Sequence, residues 1–98
     1  MVTLQITEKP GAHLRQILVK AMRDGDLKTF TAQDRGRKIT HVRYPGWMKW
    51  TQAHGVILCE IRSPKKPGEE WQLLSAFVGR LAHRFADQVQ SIQIQFLE

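Results

Sequence analysis

Both ends of this 98-residue chain alternate with a period of two, and each end adjoins a segment whose apolar residues recur at helical spacing. Val2, Leu4 and Ile6 alternate with Thr3, Gln5 and Thr7, and Ile92, Ile94 and Phe96 alternate with Gln93 and Gln95. A strand with one apolar side must bury that side, so each terminus predicts a half-buried strand of a sheet. Pro10 and Gly11 end the first alternation. From Ala12 the apolar positions become Leu14, Ile17, Leu18, Ala21 and Met22, one stripe of a helix. Gly25 is placed to end that helix in a left-handed conformation. A second stripe, Trp71, Leu74, Phe77, Val78, Leu81 and Phe85, predicts a helix ending near Ala86, with Leu73 just off the stripe. Glu69 and Glu70 fall in its first turn and Arg80, His83 and Arg84 in its last turns, the ends that suit each charge.

The middle is β-like. Thr29–Thr31 predicts a short strand, Asp34–Arg35–Gly36 a turn, and residues 38–44 a better strand. Pro45–Gly46 favours a type II turn, whose twist fits a tight hairpin poorly, before a returning strand at 47–52. His54–Gly55 is a further turn, and Val56–Arg62 is the most hydrophobic strand. The segment Ser63–Gly68, with two prolines, reads as a loop.

The order β-α-(β)-β-β-β-α-β predicts an α+β fold in a single domain spanning 1–98. Both helices should cover one face of a mostly antiparallel sheet. The terminal strands share one half-polar pattern, so they are expected side by side, as in ferredoxin-like folds. That arrangement carries no function by itself.

Hydrophobic content of 42% and charged content of 24% are ordinary globular values and exclude a largely disordered chain. No apolar run approaches the length that spans a membrane, and the first ten residues lack the charged head and apolar stretch of a signal peptide. One cysteine, Cys59, cannot form an internal disulfide, which fits a reducing, cytoplasmic setting. It alternates with Ile57 and Ile61 and is expected as a small buried hydrophobe. Glu60, on the opposite face, is expected to pair with a nearby arginine. His13, His41, His54 and His83 fall on different elements with no metal-ligand spacing, and no glycine-rich phosphate loop exists. No catalytic set, metal site or cofactor site is visible.

The charge is unevenly placed. Between Lys28 and His54 six cations face one acid, Asp34, a surplus of five in a chain of net charge +6. The same stretch holds Phe30, Tyr44, Trp47 and Trp50, four of the eight aromatic residues. Cations suit phosphate and flat rings suit bases, so the candidate site is a nucleic-acid platform. Arg35, Arg37, Lys38, Arg43 and Lys49 would meet phosphate, and Tyr44, Trp47 or Trp50 would stack. If 44 pairs with 47, then Tyr44, Trp47 and Lys49 share one face, and His41, Trp50, Met48 and Arg43 the other. The alternative is that one tryptophan is core, the other caps a sheet edge, and the cations are a solvated surface. No RRM, KH, zinc-finger or homeodomain signature is present, so any binding should be sequence-tolerant. The partner is then nucleic acid or an acidic protein surface. A protein-interaction module that self-associates is the second expectation, because the uncharged Thr3, Gln5, Gln93 and Gln95 cost little to desolvate when paired, so a homodimer is expected. A small enzyme or ligand-binding protein is the third.

Overall fold

The computed structural model describes residues 2–63 and 70–96. In chain order the elements are β1 (Val2–Glu8), α1 (Leu14–Asp24), β2 (Phe30–Gln33), β3 (Lys38–His41), β4 (Trp47–Ala53), β5 (Val56–Arg62), α2 (Glu70–Arg84) and β6 (Val89–Phe96). Short 3-10 turns at Asp34–Gly36 and Ala86–Gln88 lead into β3 and β6. All six strands form one antiparallel sheet in the order β2-β3-β4-β5-β1-β6, an α+β architecture. The expected loop at Ser63–Gly68 lies, from Pro64 on, outside the described residues.

The register follows from the apolar pattern. Leu4 sits opposite Cys59 of β5 on one side and Ile94 of β6 on the other, and Ile6 likewise sits between Ile57 and Ile92. A slip of one residue would turn the fully buried Leu4, Ile6, Ile57 and Cys59 to water. The terminal strands are therefore neighbours, as their shared pattern predicts. The strands β5 and β6 both run antiparallel to β1, which lies between them, and α2 connects them. That is a split β-α-β unit, and the four strands β4-β5-β1-β6 have the ferredoxin-like order. The β2–β3 hairpin, inserted after α1, widens the sheet on one side.

Both helices lie on the face that carries Leu4, Ile6, Ile57, Cys59, Met48 and Trp50, all essentially without solvent access. The helix α1 buries Leu14, Leu18, Ala21 and Met22 and stops at Gly25, whose φ of 87° is open to glycine at no cost. The Glu8 carboxylate sits at its other end, accepting the His13 N–H at 2.7 Å and the Gln52 amide at 3.1 Å. Negative charge there complements the helix dipole.

Two local expectations are corrected. The buried stripe of α2 is Leu73, Leu74, Phe77 and Leu81, while Trp71 is 54% exposed. Phe77 sets this rotation, because its ring must reach Trp50 (5.5 Å between centroids) and Phe30 (5.8 Å). With Phe77 centred, Leu73 one turn earlier is centred too, and Trp71 falls about 120° around the helix. The second correction concerns the expected strand 38–44, which ends at His41. The true register is Lys38 opposite Lys49 and Ile39 opposite Met48, four residues from a Tyr44–Trp47 pairing. The N–H groups of Arg43 and Tyr44 turn to the His41 Nδ1 (3.0 and 3.3 Å), which takes them out of the ladder. Residues 42–46 therefore form a loose connection rather than a tight hairpin, and Gly46, at φ 105°, presses against the Arg62 carbonyl where no Cβ fits. By contrast, His54 (φ 54°) and Gly55 (φ 78°) make a two-residue turn with both central residues left-handed, the geometry that suits strand twist.

Trp50 is the largest fully buried side chain and touches the α2 layer, whereas Trp47 is only half-buried. Trp50→Ala is expected to cost about 3–5 kcal/mol in urea unfolding monitored by circular dichroism, and Trp47→Ala less than about 1 kcal/mol.

Candidate functional site

With both helices on one face, the other face of the sheet has no layer over it among the described residues. Strand alternation decides what it presents. The strand β4 turns Trp47, Lys49 and Thr51 outward, β5 turns Leu58, Glu60 and Arg62, and β3 turns Lys38. Lys38 lies directly opposite Lys49, Lys49 opposite Glu60, and Trp47 opposite Arg62. The Lys38 Nζ stands 5.4 Å from the centre of the Trp47 ring, a cation–π contact worth about 0.5–1 kcal/mol at an exposed site. Glu60 pairs with Arg62 at 3.5 Å, both side chains well exposed, so the pair contributes little to stability. Three cations therefore surround one ring and one carboxylate. Like charges directly opposite each other across strands are unfavourable, and Glu60 compensates only part of this group.

The eight residues read from the sequence separate into four places. Lys38, Trp47 and Lys49 share the bare face. Arg35 and Arg37 stand at the end of the β2–β3 hairpin. Arg35 is in the left-handed region (φ 58°), its carbonyl accepting the Arg15 Nη2 at 3.1 Å, and the Arg37 carbonyl accepts the Trp50 N–H at 2.7 Å. Both arginine side chains are exposed. Arg43 is exposed in the 42–46 connection, at the far end of β3. Tyr44 does not join Trp47. It leaves the sheet with that connection and stacks on His41, centroids 4.7 Å apart, against the helix side. Trp50 is 1% exposed, so no base can stack on it. One tryptophan is thus core, and of the three candidate rings Trp47 alone stays on the bare sheet face. Arg62 joins the group although it lies outside the basic stretch. Its parity with Glu60 in the alternating run 56–62 was the available signal.

The remaining chemistry-bearing groups are arranged for packing. Cys59 is fully buried, and burial pushes its thiol well above the usual range, which leaves no thiolate for nucleophilic work. Among the described residues no three His, Cys, Asp or Glu side chains gather. His41 lies edge-on to Phe30 at 4.8 Å. Its ring is held below the ordinary pKa by burial first, then by the Arg43 and Arg80 guanidinium groups. The two backbone N–H donors aimed at Nδ1 also require that nitrogen unprotonated. No family model, curated protein or solved structure matches this chain.

The lowered His41 pKa means that the unfolded chain takes up its proton first as pH falls. Stability from the neutral ring is present above the unfolded value of 6.5 and is lost as pH drops from there towards the folded value. Melting temperatures measured between neutral and mildly acidic pH should fall over this window. In His41→Asn, whose side-chain oxygen keeps the acceptor and does not titrate, that component of the slope should vanish.

Proposed function

We propose that this protein is a binding module that holds single-stranded nucleic acid against the bare sheet face, with little preference for sequence. The observation that carries this reading is the Lys38–Lys49 pair beside Trp47 and Arg62. A phosphate between the two lysines would relieve their repulsion, and Trp47 offers a π-face to any base. Arg35 and Arg37 extend the cationic track beyond the hairpin end. A bare sheet face suits splayed bases better than a duplex, whose bases are already stacked.

Fluorescence anisotropy with labelled oligothymidine and oligouridine tests this. Micromolar or tighter binding is expected at about 50 mM salt, with a log–log salt slope of roughly −3 to −4 if four or five phosphates are neutralised. Replacing Lys38 and Lys49 together by alanine should flatten that slope by about one to two units, equally for all sequences. Trp47→Ala should cost about 1–3 kcal/mol on single strands. No binding to either polymer at low salt would sink the proposal.

A second reading rests on a different element. The edge strand β6 has the sequence VQSIQIQF, with no charge and no proline to discourage another strand. Beside it Phe96 is 61% exposed, and its ring meets that of the also exposed Trp71 at 5.9 Å. We infer that two copies pair antiparallel through β6, where the repulsion between two chains of charge +6 is smallest. Sedimentation at high micromolar concentration should show twice the 11.3 kDa mass, and Gln93→Lys should return it to the monomer. A monomer for the unaltered chain would overturn this reading.

A further inference from the structure

The opposite edge of the sheet carries another site. Between α1 and β2 lies an open groove of about 670 Å³. Val19 and Met22 of α1 and Ala32 of β2 give it apolar walls, and Arg23, Lys28 and Arg35 ring it, with Asp34 the one acid besides. We propose that this groove takes an acidic, extended peptide segment as a seventh strand of the sheet.

The backbone supplies the first reason. Thr31 lies opposite Thr40 and Gln33 opposite Lys38, and the Val42 N–H donates to the Thr29 carbonyl at 2.9 Å. Antiparallel ladders alternate, so Thr29, Thr31 and Gln33 point their groups at β3, and Phe30 and Ala32 point theirs at the open edge. The Phe30 N–H is already taken by the Leu27 carbonyl at 3.1 Å. The edge is left with the N–H and C=O of Ala32 and the C=O of Phe30. A donor and an acceptor on one residue, facing the same way, are matched by another peptide backbone. A phosphodiester backbone has no N–H to return.

Charge and shape supply the second. Three cations against one acid select an acidic segment over a basic one. A strand added beside β2 alternates its side chains, one set towards α1 and the other towards water. The set under α1 meets Val19 and Met22 and should be apolar, while acidic residues reach Arg23, Lys28 and Arg35. The segment this groove fits therefore alternates apolar and acidic residues. Because β2 is only four residues long, the ladder alone is short, and the cations must supply much of the affinity. Of the residues proposed above to meet nucleic acid, the groove shares only Arg35, so it stands whether or not nucleic acid binds the bare face.

The test uses a fluorescein-labelled hexapeptide of alternating glutamate and valine, titrated into the whole protein. Saturable binding is expected, with the Ala32 amide gaining protection from hydrogen exchange. A peptide with N-methylated valines, which lacks the returning N–H, should bind at least about tenfold more weakly, as should the alternating lysine–valine peptide. Arg23→Glu with Lys28→Glu should weaken the acidic peptide by a similar factor. Lys49→Ala, on the bare face, should leave it unchanged. Failure of the acidic peptide to bind overturns the proposal. So does equal binding of the N-methylated peptide, or displacement by oligothymidine with no change in Ala32 exchange. Either of the last two outcomes would make the groove a general anion surface.

Discussion

Phe77 is the contact on which the arrangement of layers depends. Its ring joins α2 to Trp50 of β4 and to Phe30 of β2, and Phe30 passes the contact on to His41 and then Tyr44. Each such ring pair is worth about 0.5–1.5 kcal/mol beyond the area it buries. Position matters more than the sum. The chain of rings decides how α2 is rotated and holds the β2–β3 hairpin to the core. It also seats the 42–46 connection through the His41 nitrogen. Phe30 shares the work of holding the hairpin with the fully buried Ile39 and with the Leu27 carbonyl that accepts its N–H at 3.1 Å.

The same packing leaves one face of the sheet bare. Trp50 and Trp47 differ by three positions, an odd number, so a single strand sends one ring into the core and the other to water. Lys49 lies between them in sequence and beside Trp47 in space. The two-residue period thus sorts a stretch that reads as a uniform basic, aromatic block into a core contribution and a surface contribution.

The regular elements were legible in the sequence because each rests on a period. The alternation at both ends, the α1 stripe with Gly25 beyond it and the antiparallel order all follow from spacing alone. What was not legible depends on contacts between elements. Trp71 and Leu73 flank the α2 stripe on opposite edges, about 160° apart, and Phe77's reach to Trp50 and Phe30 decides which edge goes inside. The β3–β4 register turned on two N–H groups preferring the His41 nitrogen to the ladder, a choice no propensity encodes. The candidate site was half legible. Charge and ring content point to Lys38, Trp47 and Lys49, but Tyr44 and Trp50 stood beside Trp47 as candidate stacking rings because alternation alone does not say which face is wet. Arg62 was missed because it is near the site across strands and distant along the chain. The edge groups of Ala32 were invisible for a similar reason, since they exist only once the ladder to β3 is formed.

The distribution of charge across the sheet gives the molecule a direction. Moving from β2 to β6, the bare face passes from Lys38 and Lys49 through the Glu60–Arg62 pair to threonine, glutamine and serine. The β2 edge is flanked by Arg23, Lys28 and Arg35, whereas β6 has no charge at all. A net charge of +6 spread evenly would oppose contact with a second copy everywhere and favour an anion nowhere in particular. Concentrated at one end, it does neither. Anionic ligands would be drawn to the β2–β3 end, and the β6 strand, without charge, would let a like-charged chain approach. Two copies joined through β6 would carry their cationic ends outermost, at opposite extremes of one continuous sheet. Each cationic face would remain open, so the proposed self-association and anion binding would not compete for the same surface.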